Sequence, residues 1–127
     1  MDVEYVTADG WSDSEDELHL TPVVRVGNTI HISGTTGRNS SQDPEEQFVA
    51  AFEAIADMLS AVGAGWDDVF KMTTYHVGGI ATHLDLLLDV KDRYVNAPYP
   101  AWTGVGVTDL ANPDALIEID VIAQVQS

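Results

Sequence analysis

The chain has 127 residues, a length typical of one domain with a sizeable core. It has no cysteine, which excludes disulfides, thiol catalysis and thiolate metal sites. Its 21 acidic residues against five basic ones give a formal net charge of −16, and the bases form no cluster. We therefore expect no nucleic-acid partner, and no membrane partner because no apolar stretch has the length of a membrane span.

The acidity has two explanations that the sequence leaves open. A hydrophobic content of 45% with clear periodicity indicates a folded chain, not a disordered acidic one. A folded acidic surface poor in lysine suits a halophilic cytoplasm, where salt screens the repulsion between like charges. An ordinary acidic protein is the alternative. Because the N-terminus lacks a basic-then-apolar leader pattern, we expect a cytoplasmic location.

The first half of the chain predicts a strand, a hairpin and a helix. Residues 1–20 form an acidic segment, in which "MDVEYV" suggests an edge strand and "DGWSDSEDE" a solvated loop. Trp11 in that loop is expected to pack against the body, with a partner contact as the alternative. "VVRVGNTIHISG" predicts a hairpin with a tight turn at Gly27. "DPEEQFVAAFEAIADMLSAVGAG" predicts a helix that Asp43 caps, with Glu46 completing a capping box, and that Gly63 ends.

The second half predicts a strand, a helix and two further strands. "DDVFKMTTYHV" is rich in β-branched and aromatic residues and predicts a strand of roughly nine residues. "THLDLLLDVKDRY" predicts a second helix with four residues facing inward: Leu84, Leu87, Leu88 and Tyr94. "PAWTGVGVTDL" and "ALIEIDVIAQV" predict two closing strands, separated by turn residues 112–114.

The last strand predicts two different faces for the sheet. One face is apolar: Ile117, Ile119, Val121, Ala123 and Val125. The other is mixed: Leu116, Glu118, Asp120, Ile122 and Gln124. Two helices, each about 10 Å wide, cover only one face of five or six strands spaced about 4.8 Å apart. Since the mixed face is too apolar for open solvent and too charged for a core, it predicts an interface that contains a wet cleft.

Four segments together resemble the Rid proteins, also called YjgF-like or endoribonuclease L-PSP proteins. They are "VRVGNTIHISGTTG", "EEQFVAAFEAIADMLSAVGAGWDDVFKMTTYHV", "PAWTGVGVTDL" and "IEIDVIAQV". The resemblance implies a single α+β domain over residues 1–127 with a chorismate-mutase-like fold. That fold has one sheet of five to six strands, two helices on one face, and a homotrimeric assembly with small-molecule clefts between subunits.

The resemblance also implies an activity and part of a site. The best-known Rid proteins hydrolyse reactive enamines and imines to a carbonyl compound and ammonia. The family's ligand-binding backbone matches Ser33, Gly34 and Thr35, and its acid–base carboxylate matches Glu118 in "IEID". No cofactor is implied.

Two family positions hold different residues in this chain. The position of the family tyrosine is Leu20, and the position of its carboxylate-binding arginine is Trp102. A tryptophan cannot bind a carboxylate in bidentate fashion, so we expect a substrate unlike the usual α-imino acids. The Trp102 ring can stack on a ligand, or it can pack within the protein or the trimer seam. Gly104 and Gly106 are expected to leave room beside it.

Glu118 has a second acid near it, because Asp120 follows on the same strand face at about 6.6 Å. A like charge and partial burial should raise the pKa of one carboxyl and make it a usable general base. The alternative is a solvated acidic face. Arg38, after the Ser33–Gly34 loop, is a candidate substitute anchor for an anionic ligand, although loop arginines are usually solvated.

Two functions of different kinds stay open at this point. The first is a hydrolytic deaminase of imines or enamines, and the second is a non-catalytic binding or regulatory trimer. Ribonuclease activity is not expected, because the sequence has neither a basic groove nor a pair of catalytic histidines. The four histidines show no metal-ligand spacing, so we expect no metal.

Overall fold

A computed structural model describes residues 2–8, 11, 18–37 and 41–126 of the chain. Six strands form one sheet: β1 (Val3–Val6), β2 (Val23–Val26), β3 (Thr29–Thr35), β4 (Val69–Val77), β5 (Ala101–Val107) and β6 (Ile117–Gln124). Within the described ranges, two α-helices of more than two turns accompany the sheet: α1 (Pro44–Ser60) and α2 (Leu84–Asp92). The strand order is β1-β2-β3-β6-β4-β5, with β4 and β5 parallel and all other pairs antiparallel. This is the predicted α+β arrangement, with the N-terminal strand at one edge.

Helix α1 begins where its capping residue predicts. The Asp43 carboxylate accepts a hydrogen bond from the Glu46 backbone N–H at 3.0 Å, and Pro44 occupies the first turn. Only this half of the predicted capping box is present as a hydrogen bond, since the Asp43 N–H donates to Ser41 Oγ instead. The chain leaves the helix at Gly63, whose φ of +74° is in the left-handed region that favours glycine.

The core lies between the two helices and one face of the sheet. Its fully buried members include Phe48, Phe52, Ile55 and Leu59 of α1 and Ile117, Ile119 and Val121 of β6. The apolar face predicted for β6 is therefore confirmed. Trp11 is partly buried against the same core, as expected.

The orientation predicted for α2 is partly wrong. Leu87 and Val90 are buried, but Leu84 and Leu88 are 37% and 45% exposed. The helix packs on α1, and its buried residues, Leu87 and Val90, are three positions apart on one side of the helix. Among the described residues, no helix combines the length and the apolar character that a membrane crossing requires.

No described helix covers the other side of the sheet, which we call the open face. Its central residues are Thr73 and Tyr75 of β4, Thr103 and Val105 of β5, and Glu118 and Asp120 of β6. The four from β4 and β6 are only partly buried in the single chain. The mixed character predicted for this side of β6 is therefore present.

Candidate functional site

A β-bulge shapes the part of the sheet that holds Glu118. The pairing register of β3 with β6 shifts between Ile32 and Thr35, at the Ser33–Gly34 pair. A small cavity of about 110 Å³ lies beside this bulge, and we call it the Glu118 cleft. Its lining includes Leu20, Ser33, Gly34, Thr35, Met58 and Glu118. The structure therefore brings four of the predicted site residues together in one chain.

Gly34 allows the Glu118 carboxyl group to lie directly against the bulge. A Cβ atom built on Gly34 would lie 2.6 Å from Glu118 Oε2, closer than real side chains approach. The neighbouring hydroxyls bind the backbone: Ser33 Oγ donates to the Thr21 carbonyl and Thr35 Oγ1 to the Ser33 carbonyl, both at 2.7 Å. The two hydroxyls thus stabilise the bulge.

The surroundings of Glu118 favour its protonated form. Burial raises the pKa of the Glu118 carboxyl, and the negative charge of Asp120 raises that pKa further. This agrees with the expectation that one carboxyl of the pair is shifted. Such a group keeps its proton to a higher pH than an ordinary glutamate, which suits an acid–base role.

Tyr75 is a polar neighbour of this site that the sequence analysis missed. It lies directly opposite Glu118 in the β4–β6 pair, and its hydroxyl donates to Asp120 Oδ2 at 2.8 Å. This hydrogen bond is the main cause of a raised Tyr75 pKa, and burial raises that pKa further. Alternation along β4 indicates which face Tyr75 occupies, but the sequence does not state that β4 pairs with β6.

Trp102 lies on the other face of the sheet. It is paired with Met72, which is buried beneath the helices, whereas Glu118 is paired with Tyr75. Met72 and Tyr75 are three residues apart on β4, so their side chains point to opposite faces. Within one chain, the structure does not bring Trp102 and Glu118 together.

The indole N–H and one face of the ring of Trp102 both have partners in the single chain. Its Nε1–H donates to Thr74 Oγ1 at 3.0 Å. The Lys91 ammonium lies over the ring, 3.9 Å from its centroid, in cation–π geometry. These contacts fix the ring between β4, β5 and α2.

The expected free space beside Trp102 is absent. The side chain of Ile80 occupies the position that a Cβ on Gly104 would take, and Trp102 Cζ2 would lie 3.3 Å from that Cβ. A Cβ on Gly106 would lie 3.1 Å from the backbone of Gly79. The two glycines therefore permit close packing over β5, which the glycine pattern alone cannot distinguish from an open pocket.

Arg38, the last of the predicted site residues, lies outside the described residues.

A buried polar chain continues from Trp102 into the core. Thr74 Oγ1 is also 2.8 Å from His76 Nε2, and His76 is only 3% exposed. Burial, and then the nearby His83, lower the pKa of His76 to about 4. His76 is therefore neutral at physiological pH. Among the described residues, no three side chains of the metal-binding types come together as a site.

We expect His76 to make the protein less stable in mild acid. The folded state binds a proton at His76 less readily than the unfolded state does. The unfolded state is therefore increasingly favoured as the pH falls from about 6.5 to about 4. The free energy of unfolding should decrease by roughly 2–3 kcal/mol over this range. His76→Phe should lack this component in urea unfolding measured across the range. His31→Phe, at an exposed site on β3, is the control, and parallel pH curves for wild type and His76→Phe would contradict the assignment.

Comparison with known proteins places this geometry in a family. The sequence model of the family described as endoribonuclease L-PSP matches residues 15–125. The RutC family protein YjgH of Escherichia coli strain K12 is 32% identical over 113 residues, which cover 86% of this chain and 85% of that protein. The chain belongs to the endoribonuclease L-PSP family. The resemblance to the Rid proteins is thereby confirmed.

A second relative in sequence and a solved structure extend the comparison for this L-PSP family chain. A 2-iminobutanoate/2-iminopropanoate deaminase from Dermatophagoides farinae is 29% identical over 111 residues, covering 81% of this chain and 83% of the relative. The crystal structure of Mycobacterium tuberculosis Rv2704, a YjgF/YER057c/UK114 family member, superposes with a TM-score of 0.85 at 27% identity. That match covers 98% of this chain and 100% of Rv2704. The chorismate-mutase-like fold predicted for this L-PSP protein is confirmed.

Proposed function

We propose that this protein is a hydrolytic deaminase of reactive imines or enamines, with Glu118 as its acid–base residue. One observation carries the proposal: a partly buried carboxyl with a raised pKa lies against the Ser33–Gly34 bulge in a small cleft. The deaminase named among the relatives supports the same reaction class. The bulge backbone, from Ser33 to Thr35, orients the ligand.

The proposed reaction needs one acid–base group and one water. Protonated Glu118 donates its proton to the imine nitrogen, which makes the C=N carbon more electrophilic. Water then adds to that carbon and gives a proton to the Glu118 carboxylate. The proton passes to the amine of the carbinolamine. The C–N bond then breaks as the C=O bond forms, and the Glu118 carboxylate takes the hydroxyl proton, which restores protonated Glu118. One imine and one water thus become one carbonyl compound and one ammonia.

We propose that the substrate differs from the usual α-imino acids. The resemblance places Trp102 where the family has a carboxylate-binding arginine, and an indole has no bidentate donor to replace it. Arg38 is the proposed substitute anchor. Trp102, which is only partly buried in the single chain, contributes its ring surface to the cleft between subunits. Both roles are testable by comparing imines with and without an α-carboxylate.

The decisive experiment is a hydrolysis assay on freshly generated imines. Amino-acid oxidases supply imines that carry an α-carboxylate, and amine oxidases supply imines that lack it. We expect carbonyl and ammonia formation above the spontaneous rate, mainly for the carboxylate-free imines. Spontaneous rates for the whole panel would contradict the deaminase, and efficient turnover of α-imino acids would contradict the proposed substrate class unless Arg38→Ala abolished it.

We propose a homotrimer with ligand clefts between its subunits. Because Glu118 and Trp102 occupy opposite faces of one chain, a cleft that contains both needs residues from two copies. Light scattering in high salt should give three times the chain mass of 13.7 kDa. Low salt should weaken the assembly, since subunits of charge −16 repel one another when screening falls. A monomer in high salt would contradict the trimer, and unchanged stability in low salt would contradict the halophilic interpretation.

The apolar lining of the cleft favours a second candidate, a non-catalytic binding or regulatory trimer. Leu20 and Met58 lie in the Glu118 cleft, and Leu20 stands where the family has a tyrosine hydroxyl. Such a protein would show ligand-dependent increases in melting temperature without imine turnover. The two measurements together separate the candidates.

We expect Trp102→Arg to shift the preference toward imines that carry a carboxylate. A guanidinium supplies the bidentate partner, and one charge-assisted pair should raise the carboxylate preference by about tenfold or more. The new charge would also lie beside the Lys91 ammonium, so the melting temperature should fall. Trp102→Arg combined with Lys91→Met should restore stability and keep the shift. An unchanged preference in both variants would exclude position 102 from the ligand site.

A further inference from the structure

The open face holds a hydroxyl–carboxylate contact next to Glu118. Tyr75 of β4 and Glu118 of β6 are directly opposite each other, and Asp120 is two residues beyond Glu118 on the same face. The Tyr75 hydroxyl reaches diagonally past Glu118 and donates to Asp120 Oδ2 at 2.8 Å. Three ionisable groups therefore meet on two neighbouring strands.

No basic group neutralises Asp120 within the part of the chain that the structure describes. The ion pairs found there all belong to Arg93. Lys71, the base on the same face of β4, donates instead to Thr103 Oγ1 at 3.4 Å. Among the described side chains, the Tyr75 hydroxyl is therefore the partner that holds the Asp120 carboxylate. Because a hydroxyl is neutral, the negative charge of Asp120 is not compensated.

We propose that Tyr75 is a positioning residue of the Glu118 site: its hydroxyl holds the Asp120 carboxylate beside Glu118. Two like charges on one strand face repel each other, and a free aspartate would turn toward water. Because Tyr75 fixes Asp120, the charge of Asp120 acts on Glu118 and disfavours its ionised form. The role in catalysis rests on the proposed function, whereas the coupling between the three side chains does not.

The groups that face Glu118 are few enough for this coupling to be measured. On β6 the neighbour is Asp120, and on β4 they are Tyr75 and, farther along, Lys71. On β3 the described neighbours at the bulge are uncharged, and His31 stands opposite Ile122, two strand positions beyond Asp120. On β5 the nearest positions are Thr103 and Val105, which carry no charge.

The test is the titration of the Glu118 side-chain carboxyl, followed by carbon NMR in the substrate-free protein. Asp120→Asn should shift the Glu118 titration to lower pH, because it removes the like charge. Tyr75→Phe keeps the ring and should shift it in the same direction, because the unheld Asp120 carboxylate turns away. Tyr75→Phe added to Asp120→Asn should cause no further shift, since Tyr75 acts through Asp120.

Tyr94→Phe is a matched control, because the Tyr94 hydroxyl also donates to a carboxylate, Glu53 Oε1 at 3.0 Å. Tyr94→Phe should leave the Glu118 titration unchanged. An unchanged titration in Tyr75→Phe would overturn the proposal, and so would an equal shift in the Asp120→Asn background. In an active protein, the alkaline limb of the pH–rate profile, where Glu118 loses the proton that it donates, should move with the titration. Failure of the imine assay with this NMR pattern intact would reject the deaminase and keep the Tyr75 assignment.

Discussion

Glu118→Gln is expected to lower the turnover of imines by about a hundredfold or more, the usual contribution of one acid–base group. The amide keeps the shape and hydrogen-bonding capacity of the carboxyl, so ligand affinity should change little. It cannot give a proton to the imine nitrogen or take one from water. Steady-state kinetics beside ligand-dependent melting therefore separate a lost catalytic group from a lost binding group.

The same variant should be at least as stable as the wild type at neutral pH. Burial and the charge of Asp120 raise the pKa of Glu118 in the folded state, so folding disfavours ionised Glu118 once the pH exceeds its ordinary value. The neutral amide removes that cost. Lost activity with an unchanged or higher melting temperature thus excludes unfolding as the cause.

Glu53→Gln is a suitable control for this experiment. Glu53 is an exposed carboxylate on α1 that accepts a hydrogen bond from Tyr94, outside the Glu118 cleft. It should keep wild-type turnover. Full activity in Glu118→Gln would exclude Glu118 as the acid–base residue, and the deaminase would then need a different catalytic group.

Phe52→Ala is expected to lower the free energy of unfolding by about 3–5 kcal/mol, the range for large core aromatics. Phe52 is fully buried on α1, and its ring lies 5.2 Å from the rings of both Trp66 and Tyr94, stacked on the latter. Its removal opens a cavity and breaks both aromatic contacts. Urea unfolding at matched protein concentration is the measurement, because association contributes to the stability of an oligomer.

Phe70→Ala is the control for Phe52→Ala. Phe70 lies on β4 but is 48% exposed, so its replacement should cost about 1 kcal/mol or less. Equally large losses for the two variants would mean that Phe70 is also buried in solution, for which a contact between subunits would be the explanation to test. An equal, small loss would contradict the central place of Phe52 in the core.

The sequence by itself determined most of the local structure. The turn at Gly27, the cap at Asp43 and the alternation along β6 each depend on neighbouring residues and on backbone conformation. Such signals act over a few residues, so they can be read without knowing the tertiary structure. The second helix was placed correctly, but its inward face was predicted only in part, since Leu87 is buried whereas Leu84 and Leu88 are exposed. The packing partner decides which leucines are covered.

The residues of the candidate site were likewise predicted only in part. Glu118 and the Ser33–Gly34–Thr35 backbone were identified from a resemblance, and the β3–β6 pairing brings them together in the cleft. Tyr75 was missed, and Trp102 was assigned open space that Ile80 fills. Both outcomes depend on which strands are neighbours and which face a side chain takes. Strand order is set by long-range pairing and packing of the whole chain, so only the tertiary structure decided that Tyr75 holds Asp120 while Trp102 lies beneath Lys91 on the opposite face.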